Sequence, residues 1–268
     1  MDDRHFRQLL EHLELSWNGY QKVRKGVKKR IARHMHQMGC HTMEAYLSEL
    51  RMNKEARREC EQRMTVSISR FFRDRQFWQI LETAILPDRV QNKKKTFFKV
   101  WSAGCACGEE VYSFRIIWNH LERSHGTLPN LEITATDLNP NYLDRARTGV
   151  FHLGSLKEVS QDVRFTYFDS NARSTRFTVK PVIKKNIIWK QHDLLTDPPG
   201  SDFDVIFLRN NLLTYYQDRL KECAFRAVIE SLASSGIIII GSHERLPNGI
   251  QSLKSIAPYS YVFEFRTL

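Results

Sequence analysis

Apolar positions recur at helical spacing through the first third of the chain and at strand spacing through most of the rest. "HFRQLLEHLEL" (residues 5–15) lays its apolar residues along one helix face. In "QKVRKGVKKRIARHM" (21–35), Val23, Val27 and Ile31 fall four apart, an apolar stripe on a helix otherwise covered with cations. "MEAYLSELRM" (43–52) and "KEARRECEQRM" (54–64) predict two more helices. A further one starts in "RFFRDRQFWQIL" (70–81), with Phe72, Trp78 and Leu81 suited to packing.

From "TFFKVWSAG" (96–104) onward the pattern changes. Strands are expected at 97–101, 131–136, 187–189, 205–208 and 237–240, with helices at 109–121, 141–147 and 217–232 between them. The apolar run "GIIIIG" (236–241) suits a strand buried on both faces. Such alternation predicts an open, mostly parallel α/β sheet with right-handed crossovers. "YSYVFEFRT" (259–267) predicts a closing antiparallel strand, and "VRFTYFDSNARSTRFTVKPVI" (163–183) a set of short antiparallel strands. The expected organisation is a helical, basic part over 1–90 and a doubly wound domain over 91–268, with a small β insertion near 160–186.

Composition narrows the setting. No run of about 18 apolar residues predicts a membrane span, and the opening "MDDRHFRQLL" does not read as a signal peptide. Five cysteines without framework spacing predict free thiols in a reducing, cytoplasmic compartment. The formal charge of +11 predicts an acidic partner, either nucleic acid or an acidic protein surface. Seven cations (Lys22, Arg24, Lys25, Lys28, Lys29, Arg30, Arg33) crowd the helix at 21–35, which holds no acid.

Candidate chemistry sits in "VWSAGCACGEEVYSF" (100–114), a first strand, a small-residue turn and a helix start. Doubly wound sheets bind ligands at the carboxyl ends of their strands. Dinucleotide binders carry G-x-G-x-x-G there; this chain has Gly104-x-x-x-Gly108 followed by Glu109 and Glu110. An acidic helix start repels a pyrophosphate and suits an amine or sulfonium, so the ligand that fits is S-adenosylmethionine. Asp137, at the end of the second strand, is placed to accept both ribose hydroxyls, each bond worth about 1.5–3 kcal/mol. Asp193 and Leu194, after the third strand, are placed for the adenine. Metal binding is disfavoured: Cys105-x-Cys107 is poor spacing for zinc, and Gly39 interrupts the cluster of His34, His36, Cys40 and His41. "DPPG" (197–200) precedes the fourth strand and reads as a loop turn.

In order, "SISRFFRD", "WSAGCACGEEVYSF", "ATDLNPNYLDRARTGVF", "HDLL", "DFDVIFLRNNLLTYY" and "GSHERL" resemble the motifs of the CheR-type chemotaxis receptor methyltransferases. Those are S-adenosylmethionine-dependent protein-glutamate O-methyltransferases. The resemblance implies a class I, Rossmann-like methyltransferase fold with an N-terminal all-α domain and a small antiparallel β insertion. It implies that Arg73 positions the substrate carboxylate beside the methyl donor, and that Glu110 takes the donor's amino group where Ala103 and Gly104 let it approach. Asp137 would bind the ribose, Asp193 and Leu194 the adenine, and Leu138, Arg209 and Asn210 would belong to the donor site. The family's commoner form has its catalytic tyrosine five residues beyond that Arg. Here position 214 is Thr, and Tyr215 and Tyr216 follow, with Tyr215 the expected site residue. Two more departures are the order Ser242-His243-Glu244, and the lack of glycines in "FDSNARSTRF", where some members dock a receptor's tethering peptide. The resemblance further implies an acidic, helical, receptor-like protein substrate docking on the basic helix, and S-adenosylhomocysteine as product.

Two other function classes compete. A nucleic-acid methyltransferase also suits a basic surface, but "RNNLLTYY" has neither a Pro-Pro-aromatic turn nor a Pro-Cys nucleophile. A non-catalytic S-adenosylmethionine-binding module would fit the displaced tyrosine.

Overall fold

The computed structural model describes residues 1–67, 69–91, 95–170 and 175–266. The chain opens with α1 (Asp3–His12), α2 (Trp17–Tyr20), α3 (Arg24–Gln37), α4 (Met43–Met52) and α5 (Lys54–Met64). Polar side chains start several of them. Asp2 accepts from the His5 N–H at 2.8 Å, Thr42 from Ala45 at 3.2 Å and Asn53 from Ala56 at 3.1 Å. Val27 and Ile31 of the α3 stripe are buried, while Val23 sits half-buried at its start. Not all the cations of this helix face outward. Arg24 and Lys28 pair with Asp3 at 3.3 and 2.9 Å, and Arg30 donates to the Arg63 and Thr65 carbonyls at 2.8 and 2.7 Å. Lys25, Lys29 and Arg33 form its exposed face, and Lys22 is exposed in the turn before it.

The next helix, α6 (Arg75–Ile80), begins later than its sequence predicts. A π-helical turn (Leu81–Ile85) and α7 (Leu86–Gln91) continue it. Residues 70–74 are irregular, with Phe72 and Asp74 at positive φ (51° and 64°). Tertiary partners outcompete helix formation here. The Phe71 N–H bonds the Ser155 carbonyl at 3.0 Å, the Phe72 N–H bonds Ser113 Oγ at 2.9 Å, and Trp78 Nε1 bonds the Arg73 carbonyl at 2.9 Å. The Phe71 ring is buried edge-on against Phe151 and Phe168, centroids 4.8 and 5.1 Å away.

Strands and helices then alternate: β1 (Phe97–Ala103), α8 (Glu109–His125), β2 (Asn130–Asp137), α9 (Pro140–Thr148), β3 (Val150–His152), α10 (Gln161–Tyr167), β4 (Phe168–Asp169), β5 (Arg176–Val179) and β6 (Ile187–Gln191). The chain closes with β7 (Phe203–Leu208), α11 (Leu212–Tyr215), α12 (Asp218–Glu230), β8 (Leu232–Ile240), β9 (Leu253–Ile256) and β10 (Tyr259–Phe265). The large sheet has the order β6-β2-β1-β7-β8-β10-β9. Its first five strands are parallel, and β10 runs antiparallel to both β8 and β9. β7 is buried at every position, as a strand covered on both faces must be. One apolar layer packs Phe98, Phe114, Trp118 and Phe207; the opposite one packs Trp101, Ile206, Leu208 and Phe225. No helix among the described residues is long and apolar enough to cross a membrane.

The insertion differs from its expected form. Residues 161–167 are helical, because Ser160 caps Val163 N–H at 3.3 Å and the buried positions follow helical spacing: Tyr167 is inside while Phe165 is 84% exposed. The small antiparallel sheet, ordered β3-β5-β4, starts as early as Val150. Residues 171–174 of "FDSNARSTRF" lie outside the described residues. β9 was not expected either; it has only four residues, none fully buried.

The ring of Phe71 joins the segment at 70–74 to the insertion, so Phe71→Ala is expected to lower the unfolding free energy by about 3–5 kcal/mol in a denaturant titration. A loss under about 1 kcal/mol would mean that this contact does not anchor the segment.

Candidate active site

The turn after β1 is small for a reason internal to the protein. Gly104 and Gly108 have φ of 82° and 90°, a region that side chains avoid. A Cβ on Gly104 would collide with the Asn211 amide, and one on Gly108 would lie 2.9 Å from the Trp189 ring and 3.0 Å from the Ala146 Cβ. The turn is pinned to β2, since the Gly104 and Cys105 N–H groups both donate to the Thr136 carbonyl, at 2.9 and 2.8 Å. Cys105 and Cys107 are buried, and burial pushes both thiols up, toward the neutral form. Among the described residues no group of three or more His, Cys, Asp or Glu is arranged to hold a metal ion.

A cavity of about 820 Å³ opens at the carboxyl ends of β1, β2, β6 and β7, roofed by residues from α2, α5 and the connection between α1 and α2. Its size lies within the usual range for ligand sites. Every site residue expected from the sequence lines it except Ala103, which is buried behind the wall and whose carbonyl accepts from the Asn211 amide. Gly104 forms part of the wall.

The two glutamates that open α8 point different ways. Glu110 faces the cavity, its Oε1 accepting from Ser102 Oγ at 2.8 Å and its Oε2 lying 3.4 Å from Arg209. Burial raises the Glu110 pKa, and the Arg209 charge opposes that rise. Glu109 turns away toward Ser155, 3.5 Å off, and is buried. Asp137 ends β2 with Oδ2 accepting the Ala106 N–H and Oδ1 the Asn139 N–H, both at 2.9 Å. Burial pushes its pKa up to about 6 against those two bonds. Leu138, Asp193 and Leu194 complete this end, with Asp193 Oδ1 accepting the Leu195 N–H at 3.0 Å.

The opposite end gathers around β7. Arg209 is 6% exposed, bonds Asp74 as well as Glu110, and lies 4.7 Å over the Phe77 ring. Asn210 has φ 56°, and its Oδ1 accepts from Arg73 at 3.3 Å. Tyr215 lies near Arg73 and Glu244; burial raises its hydroxyl pKa and the Arg73 charge opposes this. Its ring is 4.9 Å from Tyr20. Tyr216 instead shares its surroundings with Asp193, Glu61 and Asp137, and its backbone bridges to Leu15. The two tyrosines therefore serve opposite ends of the cavity.

Several lining groups were not foreseen. Gly19 and Tyr20 come from the N-terminal helices, and nothing in the sequence pairs them with α11. Asn211 and Thr214 belong to "RNNLLTYY", but their bonds to Ala103 and Glu244 span 108 and 30 residues, respectively.

The donor set fits S-adenosylmethionine: carboxylates at Glu110 and Asp137 for an ammonium and a ribose diol, and leucines at 138 and 194 for an adenine face. Strand order and site together define a class I S-adenosylmethionine-dependent methyltransferase. Residues 67–262 match the family described as "CheR methyltransferase, SAM binding domain", and the chain belongs to that family. It is 37% identical over 185 residues to the "Chemotaxis protein methyltransferase" of Listeria monocytogenes, covering 69% of this chain and 68% of that one. It is 27% identical over 230 residues to "Chemotaxis protein methyltransferase Cher2" of Pseudomonas putida, covering 84% and 82%. Among solved structures, a TehB-like SAM-dependent methyltransferase from Corynebacterium glutamicum aligns with a TM-score of 0.38 at 16% identity, covering 72% of this chain and 95% of that one.

The raised pKa of Asp137 gives a pH signature. Its ordinary value is 3.8 and its folded value about 6, so the fold favours the protonated acid; that contribution is full below 3.8 and is lost as pH rises through about 6. Ribose hydroxyls need the ionised acceptor. Donor affinity measured by calorimetry should therefore be full above pH 7 and fall as pH drops through about 6. Asp137→Asn should bind more weakly at pH 7.5 and lose that step; a step of equal size in the variant would assign it to another group.

Proposed function

We propose that the enzyme moves the methyl group of S-adenosylmethionine onto a glutamate carboxylate of an acidic, helical, receptor-like protein, within a reducing cytoplasmic compartment. The observation that carries this reading is Arg73. Its backbone is fixed through Phe72 and Trp78, and its guanidinium reaches Asn210 at the Arg209 end of the cavity.

Bound S-adenosylmethionine supplies an electrophilic methyl carbon on a sulfonium. A glutamate acceptor is already ionised at neutral pH, its reference pKa being about 4.3, so it needs alignment rather than a base. Arg73 supplies that alignment by holding the carboxylate through two parallel N–H bonds. Well-oriented reactants save up to about 7–11 kcal/mol of barrier. Tyr215 closes the same end and excludes water beside Arg73. Glu110 and Asp137 fix the donor, and Leu138, Asp193 and Leu194 hold its adenosine. The exposed cations Lys22, Lys25, Lys29 and Arg33 offer the acidic substrate a surface next to the cavity mouth, where Lys22 itself is a lining residue.

The test is transfer from methyl-labelled S-adenosylmethionine into lysate protein, scored before and after mild alkali. Alkali-labile label that falls by about a hundredfold in Arg73→Ala, with donor binding largely kept, supports the carboxylate clamp. Alkali-stable label, or label in nucleic acid, overturns it. Donor binding without any transfer favours the binding module. Reversing Lys25, Lys29 and Arg33 to Glu should raise KM for the protein substrate about tenfold or more with kcat little changed, and the effect should shrink at high salt. An unchanged KM would remove α3 from substrate docking.

A further inference from the structure

We infer that Glu244 is a positioning residue, a clamp that fixes the ends of β7 and β8 and the start of α11 against one another. Its carboxylate collects three donors from those three elements. Oε2 accepts the Asn210 N–H at 2.9 Å and the Gly241 N–H at 2.7 Å, and Oε1 accepts the Thr214 hydroxyl at 2.5 Å. The Glu244 N–H in turn bonds the Gly241 carbonyl at 2.9 Å, closing a tight turn after β8. That turn has no room for a larger residue at its first position. A Cβ on Gly241 would lie 2.8 Å from Glu244 Oε2 and 3.1 Å from the Asn210 side chain.

What the clamp holds is the geometry around Arg73. Asn210 stands in a left-handed conformation that side chains rarely adopt, φ 56°. With its N–H tied to Glu244, its amide oxygen is turned to receive Arg73 at 3.3 Å. Four residues on, the Thr214 bond sets the rotation of α11 and with it the direction of Tyr215, whose surroundings are Arg73 and Glu244 itself. Glu244 thus acts on Arg73 and Tyr215 through Asn210 and Thr214. Donor binding rests on other groups, Glu110 and Asp137. The role is one of hydrogen-bond geometry: a glutamine carries an oxygen for the two N–H donors and an amide that the Thr214 hydroxyl can accept from.

The inference rests on the methyl-transfer reading for its kinetic arm only. Amide hydrogen exchange at Asn210 and Gly241 tests the clamp without turnover. Glu244→Ala should speed exchange at both amides by about tenfold or more, and lower kcat by about thirtyfold with donor Kd within threefold. Glu244→Gln should recover most of both. Thr214→Val, which removes one donor of three, should lower kcat several-fold, and Thr214→Ser should restore it; this pair carries the test should Glu244→Ala fail to fold. Unchanged exchange in Glu244→Ala would overturn the clamp. So would a loss that Glu244→Gln does not recover, or a donor Kd that rises as far as the rate falls. If the wild-type protein transfers no methyl group, the function reading fails, and the exchange result alone decides the clamp.

Discussion

One guanidinium holds the site together. Arg209, at the end of β7, is almost fully buried yet meets Glu110 from α8 and Asp74 from the segment before α6, while its flat face rests on Phe77. The Glu110 pair is buried and adds little net stability, but removing one of its partners costs about 3–5 kcal/mol, because it strands the other charge; Asp74 is 39% exposed and its bond is screened. The effect of Arg209 is therefore to select one arrangement. The helix start, the central strand and the irregular segment carrying Arg73 have to meet at Arg209.

The irregular segment illustrates the cost and the return. Residues 70–74 give up helical hydrogen bonds and place Phe72 and Asp74 at positive φ. Backbone strain of this kind persists only where the surroundings over-determine it. They do so here: Phe71 is sunk between Phe151 and Phe168 of the insertion, Ser113 takes the Phe72 N–H, and Arg209 takes Asp74. The small antiparallel sheet thereby has a structural part in the cavity, through one ring, whatever else it recognises.

The sheet and most helices were legible because their signals are local. Five strands and the helices after β1, after β2 and before β8 follow from periodicity, and the strand-end acids follow from the rule that ligands collect at carboxyl ends. The α10 helix was missed because "VRFTY" is rich in strand formers, and the helical spacing of Val163 and Tyr167 shows only against a core to face. The meaning of the small turn was also out of reach. The space beside Gly104 is taken by Asn211 and that beside Gly108 by Trp189, partners about 107 and about 81 residues away in sequence, respectively. Acidity at Glu109 and Glu110 was visible, but only the helix phase decides which of them faces the cavity.

The same limit explains the tyrosines, and it points to how the N-terminal helices enter the site. Tyr215 and Tyr216 are adjacent, so their side chains diverge, and the sequence leaves both available. The structure separates them by tying the backbone on either side to the α1–α2 connection. The Ser16 N–H donates to the Tyr215 carbonyl at 2.7 Å, the Gln217 N–H donates to the Glu14 carbonyl at 2.9 Å, and Gly19 packs so closely on Thr214 that a methyl group would not fit between them. Main-chain bonds of this kind fix rotation about the chain, which side-chain packing alone does not. The residues that steer Tyr215 toward Arg73 thus include a stretch that continues through α2 into α3 and its exposed cations. The helices do more than cover the cavity: they set the direction of a side chain inside it.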